Sequence, residues 1–197
     1  AGVKYNEFGV TVDRNLRTTN KLVYAIGDIV EGSRFTHTAS YHAGIVLKKI
    51  LLGLPSKLRT DHIPQVTYTD PEIASVGMNF EDAVKRFGKK IERSCVSLKN
   101  NDRAITDSKT EGFVEVILLG KKVIGCSITS KNAGELISFW AFVIAKNIKI
   151  SNINAMVPPY PTLGEVNKRV VSEYYAPKVF GSKLLKFYIA VTQKIFT

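Results

Sequence analysis

V-P-P-Y-P-T-L-G-E, residues 157–165, sets three prolines within four residues around one polar aromatic side chain, Tyr160. Proline fixes its own φ and pushes the residue before it toward extended conformations, so the stretch reads as a rigid, non-helical loop. A helix follows. Thr162 is its predicted N-cap, Glu165 stands three residues on as in a capping box, and Val166, Arg169, Val170 and Glu173 continue at helical spacing. Spacing alone gives a helix start with a packed tyrosine and leaves a functional Tyr160 open.

Upstream, residues 151–156 read as a short helix and residues 132–146 as the clearest helix of the chain. Asn132 and Glu135 form its predicted capping box, and Ala133, Leu136, Ile137, Trp140, Val143 and Ile144 form one apolar stripe. Before it, β-branched runs predict strands at 65–69, 73–77, 91–98, 103–106, 112–118 and 123–129, with Gly120-Lys121 as the hairpin turn between the last two. A helix at 80–87, capped by Asn79 and ended by Gly88, interrupts them. An antiparallel sheet with flanking helices results, an α+β domain. Polar residues 56–61, between Pro55 and Pro64, are the predicted linker.

Nearer the N-terminus, residues 9–13 alternate as a short strand after a polar turn at 5–9, and residues 22–26 are a continuous apolar run ending in Gly27-Asp28. Uninterrupted apolar strands belong to parallel sheets, whose ligands sit beyond the carboxyl ends of the strands. Gly27 would let the backbone approach such a ligand, and Asp28 offers a carboxylate to a hydroxyl or, through water, to a phosphate. A plain turn aspartate is the competing reading. Residues 36–54 form a helix with Ala39, Ala43, Val46, Leu47 and Ile50 on one face and Gly53 and Pro55 as its stop. Thr36 is its predicted N-cap, and its N–H groups suit a phosphate or a flavin edge. His37 and His42 read as ordinary helix residues without metal-ligand company, so no metal is predicted.

The chain has 197 residues, 45% hydrophobic and 23% charged, enough for one or two cores. Its net charge of +11 invites a nucleic-acid reading. The lysines are scattered, without a basic helix interleaved with stacking aromatics, so a solvated surface explains them and no nucleic-acid partner is predicted. Cys95 and Cys126 read as buried strand residues outside any redox pair, which points to a reducing, cytoplasmic compartment.

T-T-N-K-L-V-Y-A-I-G-D-I-V at 18–30 and F-T-H-T-A at 35–39 resemble the second FAD-binding motif of the class I pyridine nucleotide-disulfide oxidoreductases. Three further motifs follow in that family's order: Y-T-D-P-E-I-A-S-V-G at 68–77, A-G-E-L-I at 133–137 and the P-T-x-x-E loop at 161–165. The resemblance covers the chain to about Tyr175. It implies the last strand–helix part of an FAD-binding α/β domain at 1–55, a C-terminal interface (dimerisation) domain at 62–175, and a basic amphipathic helix at 176–197. It also implies an FAD site formed by Gly27 and Asp28 with Arg34, Phe35, Thr36 and His37, and a homodimer in which Tyr160 and Glu165 complete the partner's catalytic site.

In the dihydrolipoamide dehydrogenase and glutathione reductase branches of that family, a histidine precedes Pro-Thr and serves as acid/base, oriented by the glutamate. Here Tyr160 takes that place, and a phenol with a pKa near 10 is a poor base at neutrality. Tyrosine at this position and N-D-R-A at 101–104 look like the mercuric reductase branch, although that branch ends in a cysteine pair and this chain ends K-I-F-T. The implied substrate is a small-molecule thiol, disulfide or related compound. No G-x-G-x-x-G occurs in the chain. The resemblance therefore implies a C-terminal fragment whose NAD(P)H site and redox cysteines lie in a preceding part, inactive on its own. The tail carries Leu184, Leu185, Phe187, Tyr188, Val191, Ile195 and Phe196 among Lys183, Lys186 and Lys194. Such a helix docks on the parent protein or lies on an anionic membrane surface. The competing reading of the whole is a non-enzymatic dimerisation or membrane-surface module.

Overall fold

The computed structural model describes residues 1–196, with side chains through Thr192. It divides into two compact units, Ala1–Gln65 and the chain from Val66 onward.

In the first unit, β1 (Tyr5–Asn6) and β2 (Gly9–Val10) form a small hairpin. Asn6 makes this turn, because its Oδ1 accepts from the N–H groups of Phe8 and Gly9. The expected strands at 9–13 and 22–26 are corrected. Residues 22–26 form no strand, Leu22 is 91% exposed, and Tyr24 makes a single bridge to Arg17. A short apolar run does not distinguish a buried strand from an irregular segment, and here Thr18 and Asn20 draw the backbone into local turns. Gly27-Asp28 lies in a single helical turn, Gly27–Ile29.

α1 (Thr36–Leu52) ends at Gly53, whose φ of 63° supplies the left-handed cap. Phe35, not Thr36, occupies its N-cap position, and no side chain caps it. Its buried residues are Thr38, His42 and Ile45, whereas Leu47 and Ile50 of the expected face are exposed. The second half of this helix is apolar nearly all round, so spacing could not single out one face.

In the second unit, β3 (Gln65–Thr67), β4 (Glu72–Gly77), β5 (Ile91–Ser97), β6 (Phe113–Leu119) and β7 (Lys122–Ser130) form one sheet in the order β3-β4-β7-β6-β5. The registered pairs β4–β7, β7–β6 and β6–β5 are antiparallel. Gly120, with φ 61°, makes the two-residue turn from β6 to β7. α2 (Phe80–Phe87) is capped by Asn79, whose side chain accepts from the Asp82 N–H, and ends at Gly88. The expected strand at 103–106 is instead α3 (Asp102–Thr106), because the Asn101 side chain accepts from the Ala104 N–H and starts a helical turn. Strand alternation turns Ser94 and Val96 inward and leaves Cys95 exposed, which corrects its expected burial; Cys126 is buried.

α4 (Ala133–Ala145) and α6 (Glu165–Phe180) lie over the sheet, with the short α5 (Ile150–Ile153) between them in sequence. The buried residues of α4 are the six of the predicted stripe. Its cap differs from expectation: Asn132 is left-handed at φ 62° and its side chain makes no capping bond. Instead the Glu72 carboxylate on β4 accepts from the Gly134 N–H at 2.9 Å, a cap from 62 positions away that local sequence cannot reveal. Trp140 is fully buried, and its indole N–H donates to Asn167 Oδ1 on α6 at 2.8 Å, tying the two helices over one core. α6 begins at Glu165 with Gly164 as its N-cap in place of Thr162, and it runs past Tyr175 through Pro177. α7 (Lys183–Phe196) follows, so the tail is shared between two helices. Lys194, Ile195 and Phe196 of the expected amphipathic pattern lie outside the described side chains.

Candidate functional site

Two groups of candidate residues are on display, one in each unit. In the first, Gly27 is buried with φ 70°, a conformation that only glycine adopts cheaply. A Cβ at that position would stand 3.1 Å from Ala39 Cβ, so the turn lies tight against the first turns of α1. The Gly27 N–H donates to Nδ1 of buried His42 at 3.2 Å, and the Val30 N–H closes the turn on the Gly27 carbonyl at 3.0 Å. An Nδ1 that accepts belongs to a neutral ring. Burial also lowers the proton affinity of His42. Asp28, in the same turn, is exposed.

Arg34 reaches back to the Phe8 carbonyl at 3.4 Å. Phe35 and His37 stack at 5.1 Å, and His37 Nε2 lies 2.8 Å from the Pro64 carbonyl. A carbonyl only accepts, so Nε2 carries the proton. Thr36 opens α1, whose first turn holds no acidic residue. The arrangement is an uncapped N-terminus of a 17-residue helix behind a glycine turn that shows a carboxylate. It provides N–H donors and positive dipole for an anionic group, and an acceptor for a hydroxyl. His42 is the residue sequence reasoning passed over; its one signal was a polar side chain within an apolar helix.

In the second unit, the proline loop is pinned from three sides. The Asn101 side-chain amide, at the α3 cap, donates to the Thr162 carbonyl at 3.1 Å. Thr162 Oγ1 donates to the Pro159 carbonyl at 2.7 Å, and Glu165 Oε2 accepts from the Thr162 N–H at 3.1 Å. Glu165 thus makes the return half of the predicted capping box without Thr162 being the cap.

Tyr160 is 71% exposed, and its hydroxyl donates to Asp102 Oδ2 at 3.1 Å. That hydrogen bond and the charge of Asp102 raise the phenol pKa, with smaller contributions from burial and Glu165. A phenol held protonated beside a carboxylate is a hydrogen-bonding group and not a general base near neutrality. Asp102 was not among the expected site residues; it belongs to the N-D-R-A stretch. A cleft of about 320 Å³ lies beside the loop, lined by Asn101, Asp102, Pro158, Glu165, Arg169 and Glu173 among others. Among the described residues no cluster of three or more His, Cys, Asp or Glu side chains is arranged to hold a metal ion.

Residues 63–171 match the family described as the pyridine nucleotide-disulphide oxidoreductase dimerisation domain. The chain is 30% identical to a mercuric reductase of Bacillus cereus, over 87% of this chain and 27% of that protein. It is 33% identical to a dihydrolipoyl dehydrogenase of Geobacillus stearothermophilus, over 84% of this chain and 35% of the relative. Among solved structures it resembles the HOCl-induced flavoprotein disulfide reductase RclA from Escherichia coli, with a TM-score of 0.76 and 25% identity over 87% of this chain and 40% of that one. The chain therefore spans about a third of the length of the curated relatives it matches.

Proposed function

We propose, from the premise that this chain belongs to the pyridine nucleotide-disulphide oxidoreductase dimerisation-domain family, that it forms the C-terminal part of an FAD-dependent oxidoreductase. That enzyme uses NAD(P)H and acts on a disulfide, or on a related thiol or metal substrate. The observation that carries this reading is the Gly27-Asp28 turn held by His42 against the N-terminal turns of α1.

The residues present fit FAD. Gly27 leaves no side chain between turn and helix, Asp28 stands free to accept from a sugar hydroxyl, and the α1 N-terminus offers N–H groups to an anionic edge. Arg34, Phe35, Thr36 and His37 would border the group. When bound, FAD supplies the electron carrier between nicotinamide and disulfide. The exposed Leu47, Ile50, Leu51 and Leu52 of α1 suit a helix covered by the rest of an FAD-binding domain.

The second unit builds a homodimer, and its proline loop presents Tyr160 to the partner's site. There Tyr160 binds and orients substrate through its phenol oxygen, while Glu165 and Asn101 hold the loop and Asp102 holds the hydroxyl. Cys95 and Cys126 lie on β5 and β7, which are not neighbours in the sheet, and are unpaired. That suits a reducing compartment such as the cytoplasm.

The test is FAD retention by the full-length protein. Asp28→Ala removes a charged acceptor and is expected to weaken FAD binding about ten-fold, read by equilibrium dialysis with flavin fluorescence. Wild-type affinity in the variant would remove Asp28 from the site.

A further inference from the structure

The tail lies beyond the family match, which ends at residue 171, and its chemistry differs from that of the domain before it. No Asp or Glu follows Glu173, whereas lysines occur at 178, 183, 186 and 194. Ser182 starts α7 by accepting the Leu185 N–H on its Oγ at 3.2 Å. At 3.6 residues per turn, Leu184, Phe187, Tyr188 and Val191 fall within an arc of about 100°. All four are exposed: 81% for Leu184, 69% for Phe187, 63% for Tyr188 and 40% for Val191. Lys183 borders one edge of that arc, Lys186 lies about 100° beyond the same edge on the polar side of the helix, and Lys178 is engaged by Glu92.

We propose that α7 is a docking helix for an anionic lipid surface, its apolar arc entering the interface and the lysines on its polar side meeting headgroup phosphates. The described residues do not cover this face. A second copy of α7 is a poor occupant of this face, because it brings lysines and no carboxylate to meet them. An anionic bilayer complements both the lysines and the apolar arc. α7 lies on the surface and does not cross it. Its 14 residues span about 21 Å against a hydrocarbon core of about 30 Å, and no helix among the described residues is long and apolar enough to cross a membrane. The proposal is independent of the flavin reading.

The experiment is co-sedimentation of this chain with phosphatidylcholine vesicles, and with vesicles in which about a third of the lipid is phosphatidylglycerol. Pelleting is expected with the anionic vesicles alone, and it falls away at about 0.5 M salt, where screening leaves only the apolar contribution. Replacing both Lys183 and Lys186 by serine is expected to lower partitioning about twenty-five-fold, five-fold per lysine. Leu184→Ser with Phe187→Ser is expected to abolish it. Circular dichroism checks that these exposed substitutions leave the fold intact, and deletion of residues 183–197 must give the same loss. Failure of the wild-type chain to pellet with anionic vesicles overturns the proposal, as does undiminished pelleting of the Leu184/Phe187 variant. A change of sedimentation coefficient in that variant, without vesicle binding by the wild type, would assign the face to a second copy instead.

Discussion

An ionised Tyr160 would face the Asp102 carboxylate across a 3.1 Å contact, so the fold favours the neutral phenol. Asp102→Asn keeps a hydrogen-bond acceptor and removes the charge. The phenol pKa is then expected to fall toward the ordinary value of about 10, followed by NMR of ring-labelled tyrosine with Tyr160→Phe to assign the signal. An unchanged titration would mean that Asp102 does not hold the hydroxyl. At this scale the sequence was only partly legible. Tyr160, Glu165, Gly27 and Asp28 could be singled out from prolines, a capping pattern and a Gly-Asp pair. Their partners could not: Asp102 lies 58 positions from Tyr160, and His42 lies 15 positions from Gly27. Such pairs are set by tertiary packing, which no local pattern encodes.

Helices and strands were legible where one periodicity dominated. α4 carries an unambiguous stripe, and the hairpin between β6 and β7 announces itself by Gly120. α1 and residues 103–106 misled, the first because too many positions are apolar and the second because the Asn101 cap outweighed the β-propensity of Ile105 and Thr106. The packing of α4 on α6 rests on a buried polar contact, Trp140 Nε1–H to Asn167 Oδ1. Trp140→Phe leaves that acceptor unsatisfied and opens a small cavity, so unfolding in urea should show a loss of about 2–4 kcal/mol. A loss below about 0.5 kcal/mol would mean that the contact does not tie the helices.

The far end of α6 is latched to β5 by Glu92, which accepts from Lys178 Nζ and from the Tyr174 hydroxyl at 2.7 Å each. Lys178 first, and then Tyr174, hold the Glu92 carboxyl below its usual pKa. A depressed folded-state pKa contributes stability above the unfolded value of about 4.3, and that stability is lost as pH falls through the folded value. Wild type should therefore lose stability below about pH 5 more steeply than Glu92→Gln, as urea midpoints across that range would reveal. Parallel curves would exclude the latch.

For the molecule as a whole, a unit with a glycine turn set against an uncapped helix N-terminus precedes a unit that matches the dimerisation family from residue 63 to residue 171. The first suits a dinucleotide; the second suits a subunit interface. Together they support the proposal that the chain is part of a flavin-dependent disulfide oxidoreductase, and that proposal has a direct optical test. The absorbance spectrum of the full-length protein, recorded before and after anaerobic addition of NADH or NADPH, is expected to show bound flavin that bleaches with one of the two nucleotides. A colourless protein that cannot be reconstituted with FAD would contradict the account.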